Sequence, residues 1–326
     1  MKGARAQLVP VLDAGGPRLA ELLERTEERL GEVARGHGPG LAAHAEGTLS
    51  AGGKRLRPTL VFLCADGGGE ELVAAGAAVE LLHMATLVHD DVLDGATLRR
   101  GRPTVFAEGG RQAATATGDL LFSRAFAELA STGSADTVRV LSTASSALAR
   151  GELMQRADAW GAEVTPERYL ERCRLKTASL FEASCHLGAL AGGPPELAVP
   201  LGRFGERIGL AFQLLDDVLD VSGPTERTGK PRGADLLDGT VTLPLILARA
   251  QDPDLRELDL RLAVTGPAEA AALCDRIAAT GALPEARAQA LTHVAQAKEL
   301  LDELELGEPR HTALDLVADS VVERYA

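Results

Sequence analysis

An all-α fold is what this sequence predicts, and three observations carry the prediction. Apolar residues recur at helical spacing through nearly the whole chain, as they do in helices with one buried face. Alanine and leucine, both good helix formers, dominate the composition. Aromatic residues make up only 3% of the 326 positions, too few for a β-sandwich or barrel, whose pleated faces favour aromatic and β-branched side chains.

Punctuation places the helix ends. Gly67-Gly68-Gly69 precedes a long helical run reaching about Leu93, and Gly133-Ser134 precedes another that ends beyond Met154. Thr165-Pro166-Glu167 supplies an N-cap, a proline in the first turn and an acid at the positive end of the helix dipole; Gly192-Gly193-Pro194-Pro195 stops that helix. Pro284 opens a late helix that stops at Gly307 and Pro309. The pattern amounts to roughly ten to thirteen helices and no convincing strand. The Gly/Pro clusters are short and fall at helix boundaries, so residues 1–326 are expected to form a single domain. The longest irregular stretch, 221–233, is rich in Gly, Pro and cations and follows an acidic helical segment; loops of that length usually carry function.

Composition excludes several classes. With 45% hydrophobic and 25% charged residues the chain is neither disordered nor fibrous. A net charge of −13 disfavours nucleic acid as a partner, because phosphate affinity rests on clustered Lys and Arg. Cys64, Cys173, Cys185 and Cys274 form no CxxC pair and are expected to be buried free thiols. The N-terminal apolar patch, interrupted by Pro10 and Asp13, is too weak for a signal peptide, and Leu72 to Val88, crossed by Glu80 and His83, falls short of a transmembrane segment. A cytoplasmic, soluble protein is expected.

The most informative feature is an internal echo: Asp90-Asp91-Val92-Leu93-Asp94 recurs as Asp216-Asp217-Val218-Leu219-Asp220. On a helix the first and last Asp of each segment share a face, so each projects a cluster of carboxylates that repel one another. A hard divalent cation is the natural compensation, since Mg²⁺ is commonly held by a few carboxylates together with substrate phosphates. Cations gather beside these acids: Lys54, Arg55 and Arg57 next to a Gly-Gly pair, Arg99-Arg100 directly after the first segment, Lys176-Thr177, and Lys230. Clustering both signs in so acidic a chain makes sense if they meet one ligand, with Mg²⁺ on the carboxylates and diphosphate oxygens bridging to Arg and Lys. Nucleotide and hydrolase motifs fail. The Gly223 to Lys230 stretch has the wrong spacing for a P-loop and Pro231 where Ser or Thr is needed, and neither GxGxxG nor GxSxG is present. His83 and His89, six apart, lie on different helical faces and make no zinc site.

These residues resemble the trans-isoprenyl diphosphate synthases, or polyprenyl synthetases, over Gly52 to Pro244. The motifs are GGKRLRP at 52–58, HDDVLDGATLRRGRPT at 89–104, GELMQ at 151–155, KTASL at 176–180, and FQLLDDVLD with TGKPRGADL at 212–236. The resemblance implies an all-α bundle around a large central cavity, usually a homodimer. It also implies a condensation in which an allylic diphosphate ionises, isopentenyl diphosphate attacks the carbocation, and a proton is lost. By similarity Asp90, Asp94 and Asp216 are direct Mg²⁺ ligands, and Asp91, Asp217 and Asp220 orient metal-bound waters. Arg99, Lys176, Thr177, Gln213 and Lys230 contact the allylic diphosphate; Lys54, Arg57, His83 and Arg100 hold isopentenyl diphosphate.

Two positions bear on specificity. Where the family usually has Gly-Lys before Thr-Leu-Pro, this chain has Gly239-Thr240-Val241-Thr242-Leu243-Pro244, so a cation is missing and weaker allylic-diphosphate binding or an adjusted substrate preference is expected. One turn before Asp90 stand Ala85 and Thr86, both small, where short-chain members often carry a bulky aromatic. A product of geranylgeranyl length or longer is expected, with Ala85→Phe shortening it and Leu82, Leu121 or Phe122 as further candidates for the floor. Two other readings compete. A class I terpene cyclase would carry a different second metal motif, and a non-catalytic partner subunit commonly loses Asp or Arg from these motifs; here both acidic segments are intact. The segment to about Ala51, the cysteines, Trp160 and the region after Ala250 leave no functional trace and are expected to supply packing and dimer surface.

Overall fold

A computed structural model of the chain describes residues 8–50, 53–99, 101–223 and 232–323. Almost all of it is helix. The elements are α1 (Val9–Arg35), α2 (Pro39–Ser50), α3 (Leu56–Leu63), α4 (Glu70–Leu93), a two-residue hairpin β1 (Leu98–Arg99) and β2 (Arg102–Pro103), α5 (Val105–Ala130) and α6 (Ala135–Asp158). There follow α7 (Pro166–Cys173), a π-helical turn (Arg174–Ala178), α8 (Ser179–Gly192), a 3₁₀ turn (Pro195–Leu197) and α9 (Ala198–Ser222). The C-terminal part holds α10 (Ala234–Leu237), α11 (Leu243–Gln251), α12 (Pro253–Arg256), α13 (Leu260–Ala263), α14 (Pro267–Ala278), α15 (Ala282–Asp302) and α16 (Glu308–Glu323).

The helix boundaries follow the side-chain chemistry. Ser134 caps α6 by accepting the Thr137 N–H at 3.3 Å, and Thr165 caps α7 by accepting the Arg168 N–H at 3.3 Å with Pro166 in the first turn. Gly69 precedes α4 and Gly193 ends α8, as the glycine clusters predict. The late helix departs from expectation. It opens at Ala282 and ends at Asp302, and Pro309 stands in the first turn of α16 rather than after a stop. A proline is as welcome in a first turn, where its missing N–H has no partner to lose, as it is beyond a helix end, so its position alone does not settle which end it marks.

Helix α4 runs through the middle of the core. Residues Leu72 to Leu82 are buried without a break, and α4 packs against α1, α3, α5 and α8. It is the one helix among the described residues long and apolar enough to cross a membrane, and most of it is enclosed by the other helices. Helix α9 is the second axis, packed against α8, α15 and the π-helical turn. The two acidic segments are the C-terminal ends of these two helices, so a buried apolar stem delivers each one. Cys64, Cys173, Cys185 and Cys274 are buried and free, as expected.

Candidate active site

The two acidic segments are built alike. In each, the second carboxylate turns inward and the first and last stay accessible. Asp91 is 5% exposed and accepts Arg99 Nε and Nη2 at 2.8 Å each; Asp217 is 3% exposed, with Oδ1 accepting Gln213 Nε2 and Oδ2 accepting the Tyr169 hydroxyl, both at 2.7 Å. Burial pushes the Asp217 carboxyl above the usual carboxylate range, against the Tyr169 hydrogen bond that favours its charge. Asp90 and Asp216 are half-buried and Asp94 is exposed. Asp220 accepts the N–H groups of Ala234 at 3.2 Å and Asp235 at 3.3 Å, which fastens α10 to the end of α9.

The π-helical turn joins the two segments. Helices α6 and α9 close on its backbone at two glycines. A Cβ on Gly151 would lie 2.5 Å from Lys176 N, and one on Gly209 would lie 2.6 Å from Ala178 Cα. Only glycine permits either approach. The turn, a form common at functional sites, thereby aims Lys176 and Thr177 in different directions. Lys176 Nζ pairs with Glu152 Oε2, while Thr177 Oγ1 donates to Gln213 Oε1 at 2.7 Å. Thr177, Gln213, Asp217 and Tyr169 therefore form one hydrogen-bonded chain running from the turn into the second acidic segment.

On the other side Glu152 leads to the first segment. Its Oε1 accepts Arg156 Nε at 2.8 Å, and Arg156 Nη2 donates to Asp94 Oδ1 at 2.6 Å. Arg156 Nη1 also lies 3.6 Å from Asp238 Oδ1. Burial raises the Glu152 carboxyl but is outweighed by Lys176 and Arg156, which hold it below its usual range. Asp90 behaves in the opposite way: burial pushes it up to about 6, with Glu152 and Asp94 adding to the rise and Lys176 and Arg99 opposing it. At Asp90 the cost of burial therefore outweighs the two cations that favour its charge.

Of the residues expected to hold isopentenyl diphosphate, Lys54 and Arg57 lie at the start of α3 and His83 on α4, which packs against it. Arg57 stacks over the Phe181 ring, 4.7 Å from its centroid. Lys54 and His83 are half-buried, His83 on the same side of α4 as Thr86 and Asp90. Arg55, counted among the cations beside the Gly-Gly pair but given no ligand role, has left-handed backbone (φ 51°), and its guanidinium ties Glu27 to the buried Glu80 at 2.5 Å each, a packing role that anchors the motif. Arg100 and Lys230 lie outside the described residues. Ala85 is fully enclosed, whereas Thr86, one turn before Asp90 on its face, is partly accessible and donates to the His83 carbonyl at 2.7 Å.

Four functional-site residues were not picked out from the sequence. Glu152 stands inside the GELMQ motif and Arg156 follows it by one turn, a spacing that could have drawn attention to the pair. Tyr169 and Asp238 carry no local signal. Among the described residues, no three His, Cys, Asp or Glu side chains converge on one point. Asp90, Asp94 and Asp216, accessible or half-buried carboxylates at two helix ends, are oxygen donors of the kind Mg²⁺ takes together with substrate oxygens.

Helices delivering paired aspartate segments to a shared cationic turn define an enzyme of the all-α isoprenoid synthase class. A model of the polyprenyl synthetase family matches residues 39–277. The chain is 40% identical over 306 residues to heptaprenyl diphosphate synthase component 2 of Geobacillus stearothermophilus, covering 91% of this chain and 94% of that protein. It is 38% identical over 322 residues to a short chain isoprenyl diphosphate synthase of Methanothermobacter thermautotrophicus, covering 94% and 97%. The crystal structure of polyprenyl synthase from Caulobacter crescentus CB15 complexed with calcium and isoprenyl diphosphate superposes with a TM-score of 0.88 at 33% identity, covering 100% of this chain and 99% of that one. The chain belongs to the polyprenyl synthetase family, and it is a trans-prenyltransferase of isoprenoid biosynthesis.

Proposed function

We propose that this enzyme condenses isopentenyl diphosphate with an allylic diphosphate, with Mg²⁺, to an all-trans polyprenyl diphosphate of geranylgeranyl length or longer. The observation that supports it most is the bridge through Lys176. Lys176 pairs with Glu152, which Arg156 links to Asp94 of the first acidic segment, while its neighbour Thr177 reaches the second segment through Gln213. An anionic leaving group held there meets the fixed positive charge of Lys176.

Asp90, Asp94 and Asp216 are the residues that would hold Mg²⁺, which when bound supplies positive charge to the departing diphosphate. The chain's own groups do the rest. Lys176, Thr177 and Gln213 grip the allylic diphosphate while its C–O bond breaks, and the electron pair leaves with the diphosphate. The carbocation is attacked by the double bond of isopentenyl diphosphate, held by Lys54, Arg57, His83 and Arg100, and a proton then passes to the released diphosphate. Asp91 and Asp217 fix Arg99 and Gln213 at the site, and Asp220 holds the chain beyond the second segment. Arg99 and Lys230 complete the allylic-diphosphate shell. A small Thr86 on the face of Asp90 leaves room for a growing chain.

The apolar core runs from Leu8 to Val321 without division, which supports a single domain. We read the enzyme as a cytoplasmic homodimer. The test is a chain-length assay of the purified protein with Mg²⁺, isopentenyl diphosphate and a panel of allylic starters. Prenyl diphosphate product is expected only with both substrates; hydrocarbon or alcohol from the allylic substrate alone would make it a cyclase. The Geobacillus relative is named as one component of a synthase, so the protein is assayed without any second subunit, and activity there establishes that none is needed.

A further inference from the structure

We propose that Arg172 is a positioning residue for the allylic-diphosphate half of the site, acting through the Tyr169 ring. The proposal rests on the condensation reading above and deepens it. Arg172 belongs to the last turn of α7, just ahead of the π-helical turn, and is 3% exposed. Its Nη2 donates to the Val241 carbonyl at 2.7 Å, while Nη1 is buried and makes no hydrogen bond. Among the described residues no carboxylate is in contact with it. Enclosing a cation in that way is costly, so its place needs a reason.

The reason lies in what the guanidinium covers. It stacks over the Tyr169 ring, 5.2 Å from the centroid, a geometry that suits a planar and weakly hydrated cation. Tyr169 and Arg172 are three apart on α7 and so share a face of the helix. The hydroxyl of the same ring donates to Asp217 Oδ2 at 2.7 Å, and Arg172 favours the charge on that carboxylate. A cation on the ring face and an anion on its hydroxyl polarise the phenol in the same sense, which strengthens the hydrogen bond between them.

The guanidinium is held from behind. Val241 is fully buried, and two residues earlier the Gly239 carbonyl accepts the Trp160 N–H at 2.7 Å. The Trp160 ring fills the space a side chain at 239 would need, since a Cβ there would lie 2.2 Å from it. Arg172 is thus clamped between a pinned stretch of backbone and the ring. From the ring the effect reaches the ligand groups through hydrogen bonds. An ionised carboxylate only accepts, so Asp217 takes the Gln213 amide N–H at 2.7 Å and turns Gln213 Oε1 toward the Thr177 hydroxyl, also at 2.7 Å. Thr177 and Gln213 are two of the groups read above as holding the allylic diphosphate. No residue assigned to isopentenyl diphosphate belongs to this chain of contacts.

The experiment is calorimetric titration of inorganic pyrophosphate with Mg²⁺ into the full-length wild type, R172M, Y169F and the R172M/Y169F double variant, with circular dichroism to show that each is folded. R172M should weaken pyrophosphate about tenfold. Y169F severs the ring from Asp217, so adding R172M to it should change binding by less than about twofold. In condensation assays KM for the allylic diphosphate should rise in R172M while KM for isopentenyl diphosphate stays unmoved, a split that loss of packing alone does not produce. Wild-type pyrophosphate affinity in folded R172M, or losses that add in the double variant, overturns the proposal. Should R172M not fold, the same cycle is run with R172K, which keeps the charge and loses the planar stack; a weakening that disappears in the Y169F background supports the proposal, and wild-type affinity or an additive loss overturns it. If the wild type yields no prenyl product yet its pyrophosphate binding depends on Arg172 in this way, the condensation reading fails and the positioning role stands.

Discussion

The Tyr169 hydroxyl donates to Asp217 Oδ2 at 2.7 Å across 48 residues of sequence, and both groups are buried. Gln213 takes the other oxygen of the same carboxylate and is itself fixed by Thr177. The inner carboxylate of the second acidic segment is thereby the hub that sets the orientation of Gln213 and Thr177 at the site. Losing one donor leaves a buried acceptor unsatisfied, which costs more than the hydrogen bond returns on forming. Tyr169→Phe should destabilise the protein by about 1–3 kcal/mol, read from urea denaturation, and should raise KM for the allylic diphosphate.

Gly151 sets the approach of α6 to the π-helical turn. An alanine there places Cβ 2.5 Å from Lys176 N, against backbone that has no soft side chain to yield. Gly151→Ala should cost about 1–3 kcal/mol by overpacking and shift Lys176 away from the first segment, so that kcat falls while KM for isopentenyl diphosphate stays near wild type.

Product length should respond to Thr86 before Ala85. Thr86 shares the accessible face of α4 with Asp90, whereas Ala85 is fully enclosed. Thr86→Phe is expected to shorten the product with little loss of stability. Ala85→Phe inserts a ring into packed core and should lower the thermal midpoint as it shortens the product. Chromatography of the dephosphorylated products, together with thermal melts, distinguishes the two.

Each accessible aspartate should matter more to rate than to fold. Asp90→Asn and Asp216→Asn are expected to reduce kcat by about 10²–10³-fold, the size of losing one electrostatic contact to a transition state. Circular dichroism should remain unchanged. For Asp90→Asn the folded state should if anything gain stability, because burial already penalises the charged form of that carboxyl. Chelation of divalent cations should abolish turnover in the wild type and be reversed by added Mg²⁺.

Much of this was legible before any fold was known. The caps at Ser134 and Thr165 and the breaks at Gly69 and Gly193 were readable because each depends on a few adjacent residues. The acidic segments stood out because they repeat and because charges on apolar helices require a reason. Pro309 was misplaced because a proline suits both the beginning of one helix and the region after another. Trp160 had no readable role, and its partner Gly239 lies 79 residues away.

Local chemistry alone therefore determined the helical class, the two aspartate clusters and the cations that accompany them, since periodicity, capping and charge are properties of neighbouring residues. Tertiary packing decided which carboxylates turn inward, that Glu152 and Arg156 join the site, and that Tyr169 supports it from behind. Those assignments depend on backbones meeting at Gly151 and Gly209 and on hydrogen bonds closed between helices far apart in the chain, which no local pattern specifies.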